Sequence, residues 1–280
     1  VFLYNPGTTA ITVTRVRRST FTGNLVSTSR TVPAGGNYKE VLPDGTGARF
    51  YTASGAKFYA LSATDSDDGD SGNQAYDWGF SLIPVSHLAP QALVGMGIGR
   101  DYTSTVNPDE NASPVWVTPV GNGDTVATIY VDYDADPTTG ALTDPNGYKY
   151  DVALSLRELE RAKVYNPAGD QTRMLLYTLT SGVKLAVAWG SEPGVASASE
   201  PGLDMGTGVP PLPNFDVGKL VSLYADNDED GYPSPGDELL YTILIQNTGR
   251  APVFDILLKD TLSSDTTYVP NSTYWQTDSG

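Results

Sequence analysis

The sequence predicts an all-β protein built from antiparallel β-sandwich domains, and three observations lead to this prediction. Thr, Val and Tyr recur along the 280 residues, whereas runs of Ala, Glu, Lys and Leu that favour helices are nearly absent. The 29 Gly and 20 Pro place turn signals between many short apolar stretches. Several of these stretches alternate apolar and polar residues, which is the period of a strand with one buried face. Short strands at this spacing are typical of a sandwich or barrel.

Strand signals begin close to the N-terminus. The stretch AITVTRV at 10–16 alternates apolar and polar residues. Residues 48–64 predict a hairpin, because two aromatic stretches flank a turn signal at Ser54 and Gly55. The stretch YDWGFSLIPV at 76–85 predicts an aromatic-rich strand that is ended by a proline. We therefore expect the first part of the chain to form sheet.

The middle of the chain continues this pattern, with one ambiguous stretch. Residues 114–120 predict a strand, and residues 124–137 predict another that leads into an acidic loop. Residues 173–190 predict a hairpin around a Ser-Gly turn. The stretch YDVALSLRELERAKVY at 150–165 has a mixed pattern, so a short helix and further strands are both open there.

A change in composition marks the domain boundary. Residues 191–215 are rich in Gly, Pro and Ser and have almost no periodicity, which is typical of a long loop that ends in a linker. We therefore predict a β-rich module at 1–213, which a further division would split into 1–90 and 91–213. A second unit follows at 214–280. Its strand signals are VGKLVSLYA, DELLYTILIQNTG and VFDILLKDTL.

Charge and composition exclude several classes of function. The net charge of −16 argues against a nucleic-acid partner, because phosphate contacts need clustered Lys and Arg. The chain has no cysteine, so disulfides, catalytic thiols and cysteine-bound zinc are excluded. It has no apolar stretch of about 18 residues, so we expect no direct membrane insertion. It opens on strand-like sequence at Val1 without a signal peptide, as expected for a mature or processed piece or for part of a longer chain.

The charge is also distributed unevenly. Residues 1–60 contain seven basic residues and two acids, so the rest of the chain is strongly acidic. A solvated surface explains this distribution, and so does head-to-tail attraction between neighbouring copies or domains.

The acidic stretch DNDEDGYPSPGD has the ligand spacing of a calcium loop. Calcium takes six to eight oxygen ligands, which alternate residues of a tight loop can supply around a glycine at the sixth place. Gly231 holds the sixth place, and the seventh contributes a backbone carbonyl. The predicted ligands are Asp226, Asp228, Asp230, Tyr232, Ser234 and Asp237. Because the flanks are strands, we expect a structural calcium site here; a solvated acidic turn is the alternative.

Two further acidic stretches repeat the alternation less regularly. In VDYDADPTTGALTD the glycine is displaced, and in ATDSDDGDSGNQAYD the spacing is irregular. The candidate calcium ligands of the first are Asp132, Asp134, Asp136, Thr138 and Asp144. Those of the second are Asp65, Asp67 and Asp70.

Catalytic patterns are weak. His87 is the single histidine, and adjacent strand residues point to opposite faces, so Ser86 could not serve it directly. Gly95, Gly97 and Gly99 lack the helix and βαβ frame of a dinucleotide site, and Gly kinks in a bent strand explain them. We therefore predict a protein that is not an enzyme.

The C-terminal residues resemble a known family. The stretch DNDEDGYPSPGDELLYTILIQNTGRAPVFDILLKDTL, followed by TTYVPNST, resembles the DUF11 repeat, an immunoglobulin-like β-sandwich found in tandem in large bacterial and archaeal surface proteins. The resemblance covers residues 216–280. Such repeats normally continue for another strand or two, so the resemblance implies that the immunoglobulin-like sandwich is incomplete here.

Residues 1–213 are similar to a module that precedes such repeats in very large exported proteins. The stretches concerned include VFLYNPGTTAITVT, GARFYTASGAKFYALSATDSDDG and AWGSEPGVASASEPGLDMGTGVPPLP. The same region also resembles the N-terminal part of IgGFc-binding-type proteins. Both resemblances imply a secreted, cell-surface or filament role, and they imply no activity.

These observations favour a calcium-stabilised extracellular structural protein, one segment of a surface filament, stalk or fibre. An open sheet edge in the last unit would invite a strand from the next copy. The apolar residues 1–4 or the alternating stretch 10–16 are the predicted donors. The alternative is an adhesin that binds glycan or protein through exposed aromatic side chains. Its candidate platform residues, which could equally be core, are Trp78, Trp116, Trp189 and Trp275.

Overall fold

The computed structural model describes residues 1–43, 45–64, 78–97, 113–191, 205–212, 215–253 and 256–276. The all-β prediction is confirmed: the described residues form antiparallel strands and one 3-10 turn at Val85–His87, without an α-helix. None of the described residues belongs to a helix long and apolar enough to cross a bilayer. The strands are β1 (Phe2–Tyr4), β2 (Ile11–Arg18), β3 (Leu25–Val32), β4 (Asn37–Lys39), β5 (Ala48–Tyr51), β6 (Tyr59–Thr64), β7 (Trp78–Ser81), β8 (Gln91–Leu93), β9 (Val115–Val120), β10 (Ala127–Asp132), β11 (Leu142–Thr143), β12 (Lys149–Tyr150), β13 (Val152–Leu156), β14 (Ala162–Val164), β15 (Leu175–Thr178), β16 (Lys184–Gly190), β17 (Gly206–Val209), β18 (Phe215–Ala225) and β19 (Glu238–Asn247).

The first seven strands form two sheets around a small core. One sheet has the order β4-β1-β6-β7 and the other β3-β2-β5. Leu3, Val13 and Val32 are almost fully buried between them, because successive strand residues point to opposite faces and these three point inward. The buried Asn5 amide donates to the carbonyl oxygens of Thr9, Val32 and Pro33 and thereby fixes the turn after β1.

Strands β8 to β17 build a larger sandwich. Its sheets have the orders β13-β10-β15-β8 and β14-β9-β16-β17, and β11 and β12 form a small separate hairpin. The core between the two sheets includes Val117, Ile129, Leu176 and Leu185, none more than 1% exposed. Burying such side chains supplies most of the favourable free energy of folding.

The ambiguous stretch 150–165 forms strands. It contains the end of β12, all of β13 and all of β14, and it has no helix. Val152, Leu154 and Leu156 pack against the sandwich core, so the apolar residues that decide the fold recur with the period of two that a strand requires.

The two sandwiches are joined by a buried arginine and an apolar contact. Arg18 donates to the carbonyl oxygens of Glu158 and Gly123 at 2.8 and 2.9 Å and pairs with Asp124. Beside it, Leu159 is 2% exposed and packs with Val16, although its φ of 60° lies in the left-handed region. A residue held in that region costs about 1–3 kcal/mol, so surrounding contacts must hold the turn in place.

Aromatic packing joins the sandwiches at a second place. The indole of Trp78 lies directly on the backbone of Gly206, where an added Cβ would come within 2.0 Å of the ring. Its Nε1 donates to the carbonyl oxygen of Ser191 at 2.8 Å, and its ring lies 5.7 Å from that of Trp116. Glycine is required at 206 because no other residue leaves room for the indole.

The C-terminal unit is a long hairpin of β18 and β19, with a bulge between Leu223 and Ala225. Residues 256–276 contain no strand, so two strands are all the regular structure described after residue 214. Most side chains of this hairpin are exposed, including Val217 at 59% and Leu220 at 72%. A hairpin without further strands is only marginally stable in water, so this unit depends on contacts beyond its own backbone ladder.

Candidate functional site

The turn between β18 and β19 brings together three of the predicted calcium ligands. The pairing of Ala225 with Glu238 places the two ends of the turn side by side. One carboxylate oxygen each of Asp226, Asp228 and Asp237 lies within 4.8 Å of the other two. Among the described residues, no other group of three or more acidic or histidine side chains meets this distance. This turn is therefore the candidate metal centre.

Backbone hydrogen bonds shape the centre. The N–H of Gly231 donates to Oδ2 of Asp226 at 2.8 Å. The N–H groups of Asn227 and Ser234 donate to the two carboxylate oxygens of Asp237 at 2.8 and 2.7 Å. Gly231 has φ of +81°, which glycine adopts without steric cost, so the glycine at the sixth place permits the sharp turn as predicted.

One oxygen of the centre lacks a partner. Oδ1 of Asp226 is buried and has no hydrogen-bond donor among the described residues. A buried carboxylate oxygen without a partner is costly, because it has lost its hydration and gained nothing in exchange. A hard cation would supply that partner, so the donor set of this turn fits calcium.

The other predicted ligands lie at the edge of the centre. Oδ1 of Asp230 accepts from the N–H of Tyr232 at 2.7 Å, and the Tyr232 side chain is exposed, as expected where only the carbonyl is used. The hydroxyl of Ser234 donates to Oδ2 of Asp228 at 3.0 Å. The structure thus brings together the first, third and twelfth places and leaves the fifth outside the group.

Backbone hydrogen bonds in the turn favour the ionised form of Asp237. Hydrogen bonds from the N–H groups of Asn227 and Ser234 lower the pKa of Asp237 below its ordinary value. Neighbouring carboxylates that stay ionised repel one another, and a divalent ion relieves that repulsion.

The loop after β10, predicted as a second calcium site, is arranged differently. Oδ2 of Asp132 accepts from Nη1 of Arg250 at 2.6 Å, and the two side chains are 1% and 10% exposed. Burial raises the pKa of Asp132, and the hydrogen bond from Arg250 opposes this rise. The cation beside this aspartate is a guanidinium from the C-terminal hairpin.

Asp144 is also held by groups of the protein. It is 5% exposed, and its Oδ1 accepts from the N–H groups of Asn146 and Tyr148, both at 2.9 Å. Its Oδ2 accepts from the hydroxyl of Tyr177 at 2.9 Å, and burial together with this contact raises the pKa of Tyr177. Asp144 therefore orders the β11–β12 turn against the sandwich.

The remaining acids of the second loop form local turns. Oδ1 of Asp134 accepts from the N–H of Asp136 at 2.9 Å, and Oδ1 of Asp136 accepts from both the N–H and the hydroxyl of Thr138. These bonds lower the pKa of both aspartates. The alternating acids were predicted as metal ligands. In the structure Asp134 and Asp136 accept hydrogen bonds from backbone N–H groups two residues later and so stabilise local turns.

The third acidic stretch lies outside the described residues, and with it Asp65, Asp67 and Asp70. Gly99 lies outside them too. Gly97 packs so closely on Gln171 that a Cβ would come within 2.7 Å of it, which explains one of the three glycines by packing. His87 lies exposed in the 3-10 turn.

The four tryptophans divide between core and surface. Trp189 is 3% exposed and belongs to the core, while Trp78 and Trp116 are partly buried between the sandwiches. Trp275 is 78% exposed beside the exposed Tyr274.

Sequence reasoning missed Arg250. The available signal was its isolation: it is the single basic residue between Lys219 and Lys259, in an acidic part of the chain. The sequence could not predict that Asp132 is its partner, because the two residues are 118 positions apart in the chain.

No protein-family model, curated protein or solved structure matches the chain. The similarity to the DUF11 repeat therefore stays a prediction from the residues.

Proposed function

We propose that the chain is a calcium-stabilised, non-enzymatic structural segment of an extracellular surface filament or stalk. The observation that carries this proposal is the position of Asp226, Asp228 and Asp237 at the tip of the β18–β19 hairpin. An ion held there would tie together the ends of two long strands that have little support of their own. Calcium then makes the last unit stiff enough to transmit force.

The hairpin also offers a surface for a neighbouring subunit of the same fibre. A groove of about 360 Å³ runs along the face of the hairpin on which the side chains of Phe215, Val217 and Ile245 lie. The groove is lined by Phe215, Val217, Ile245, Val253, Ile256, Leu257 and Leu258. Exposed apolar surface of this kind is typical of contact sites. The outer edges of β18 and β19 pair with no other strand of the described residues, and such edges can accept a further strand.

The strand donors predicted from the sequence need correction. Residues 1–4 include β1, which pairs with β4 on one side and β6 on the other. Residues 11–16 of the second predicted donor lie in β2, which pairs with both β3 and β5. Both are interior strands whose removal would dismantle the first sandwich, so the donor in a fibre must be another segment.

Four arginines of the basic N-terminal region form ion pairs with acids of the same chain. Arg15 and Arg30 both pair with Glu40, and Arg18 and Arg49 pair with acids of the second sandwich. The uneven charge therefore joins the two sandwiches of one chain, and apolar contact is the better basis for assembly between chains.

Electron microscopy and sedimentation of the purified chain test the proposal. With calcium we expect fibres, or oligomers that grow with protein concentration, and with EDTA we expect shorter species. A chain that stays monomeric at high concentration in both buffers contradicts the filament role.

A binding module for glycan or protein is the second candidate. It is favoured by the exposed pair Tyr274 and Trp275, because aromatic faces stack on sugar rings and anchor protein contacts. A glycan array probed with the wild type and with Trp275→Ala distinguishes the two roles: binding that requires Trp275 favours the adhesin.

A further inference from the structure

Arg250 occupies a socket on the second sandwich. Its Nη1 donates to Oδ2 of Asp132 at 2.6 Å and lies 3.4 Å from the carbonyl oxygen of Lys149. Its Nη2 donates to the carbonyl oxygen of Ala135 at 2.9 Å. The rings of Tyr148 and Tyr177 each lie 5.6 Å from the guanidinium carbon. The guanidinium is thus bound by oxygens at its edge and contacted by two aromatic rings.

The backbone of the socket is distorted in a way that serves this contact. Ala135 has φ of 56°, a left-handed conformation that is uncommon and strained for a residue with a side chain. In that conformation its carbonyl oxygen reaches Nη2. The strain is offset by a hydrogen bond that only a correctly placed donor can make.

The arrangement suits a guanidinium better than calcium or an ammonium. Calcium needs six to eight oxygens, whereas among the described residues Asp132 supplies the one carboxylate in contact with the guanidinium. Asp134 and Asp136 bond to their own loop. A lysine ammonium is a compact point charge without the planar fork of donors that reaches several oxygens at once. A guanidinium has that fork, and it also makes favourable cation–π contacts with aromatic rings.

The turn that carries Arg250 is itself ordered against the sandwich. Nδ2 of Asn247 donates to the carbonyl oxygen of Ala251 at 2.9 Å, which closes the turn. Ala251 is 2% exposed and packs with Tyr130 and Tyr177. Oε1 of Gln91 accepts from the N–H of Arg250, so the backbone on both sides of the arginine is held.

We propose that Asp132, the carbonyl oxygens of Ala135 and Lys149, and the rings of Tyr148 and Tyr177 form a guanidinium-selective binding site whose resident ligand is Arg250. The site fixes the C-terminal hairpin to the second sandwich. It takes a free alkylguanidinium ion once Arg250 is removed, and it does not need calcium. This inference is independent of the filament role.

Chemical rescue tests the site. Arg250→Ala empties the socket, and its melting temperature is followed in EDTA with increasing methylguanidinium chloride or, as the matched cation, methylammonium chloride. Low millimolar concentrations avoid the denaturing effect of guanidinium salts. We expect methylguanidinium to raise the melting temperature of the variant, because a ligand that binds only the folded state stabilises it. Methylammonium should not do so, and wild type, with its socket filled, should respond to neither.

Two further variants keep the test decisive. Arg250→Lys retains the charge without the planar fork and should melt below wild type. Adding Asp132→Asn to Arg250→Ala removes the anchoring carboxylate and should abolish rescue. Equal rescue by the two cations, or rescue that survives loss of Asp132, overturns the proposal. Should Arg250→Ala not fold alone, its refolding yield with each cation replaces the melting temperature, and equal yields overturn the proposal in the same way.

Discussion

Asp132 and Arg250 form a buried ion pair between residues 118 positions apart in the chain. Nη1 of the arginine lies 2.6 Å from Oδ2 of the aspartate. Asp132 ends β10 in the second sandwich, whereas Arg250 follows β19 in the C-terminal hairpin. The pair therefore connects two parts of the chain that sequence composition places in different units.

The strength of this connection can be measured. Asp132→Asn and Arg250→Met should each lower the free energy of unfolding by about 3–5 kcal/mol, because each leaves one buried charge without its partner. The double variant should lose much less than the sum of the two. Urea denaturation measures this, and guanidinium chloride is unsuitable because it supplies a ligand for the socket. The pair Arg157 and Glu160, whose side chains are 39% and 28% exposed, is the less buried control, with an expected effect of about 1 kcal/mol or less. Additive losses at 132 and 250 would contradict the coupling.

Calcium should stabilise the protein through the β18–β19 turn. At a calcium concentration about 100 times the dissociation constant, binding to the folded state adds about 2.7 kcal/mol. Asp226→Asn and Asp228→Asn together should remove this gain, whereas Asp265→Asn, an exposed acid outside the turn, should keep it. Thermal scans in calcium and in EDTA provide the measurement. An unchanged melting temperature of wild type between the two buffers rules out the calcium site.

Acid should weaken the same turn. The pKa of Asp237 is lowered by the N–H groups of Asn227 and Ser234, so its contribution to stability is present above its unfolded pKa of about 3.9 and is lost as pH falls through the folded value. NMR titration of the carboxyl carbons in EDTA should give a midpoint for Asp237 below about 3.9. Asp237→Asn should remove this part of the acid sensitivity. A midpoint at or above the ordinary value contradicts the hydrogen bonding of the turn.

Local patterns in the sequence were sufficient for strands and for the calcium-like turn. The alternation in β2 and the ends of the β18–β19 turn are set by near neighbours, so period and turn chemistry predict them. The fate of Asp132 depends instead on a residue from another unit. Aspartates that accept hydrogen bonds from their own loop and aspartates that bind a cation occur at the same spacing in the sequence. Only the tertiary contacts therefore distinguish the two roles.

The position of a strand within a sheet was likewise beyond local reasoning. The sequence of residues 1–4 predicted a free apolar end. In the structure β1 lies between β4 and β6, because strand partners 33 to 59 residues away pair with both of its edges. The mixed stretch 150–165 became strand because the core beneath it accepts every second residue. In both cases the deciding contact is remote in sequence.

The basic N-terminal region should matter for stability. Glu40 is 3% exposed and accepts hydrogen bonds from Arg15 and from Nε of Arg30, the latter at 2.9 Å. Glu40→Gln removes the charge that balances the buried Arg15 and should cost about 3–5 kcal/mol in urea denaturation. Glu160→Gln, whose side chain is 28% exposed, should cost about 1 kcal/mol or less. Similar losses for the two variants would show that burial does not decide the effect.

Assembly should depend on one face of the β18–β19 hairpin. Val217 lines the groove and is 59% exposed, whereas Leu220 is 72% exposed and lies on the opposite face, since strand residues alternate. Val217→Glu should therefore abolish concentration-dependent oligomers, because docking would bury an unpaired charge. Leu220→Glu is the matched control on the other face, and Phe21→Glu, 96% exposed in the β2–β3 turn, is the control in the first sandwich. Sedimentation velocity in calcium compares the three variants after circular dichroism has shown that each is folded. Equal loss of oligomers in Val217→Glu and Leu220→Glu would mean that the groove does not select the contact face, and retention of oligomers in Val217→Glu would exclude the groove as the assembly surface.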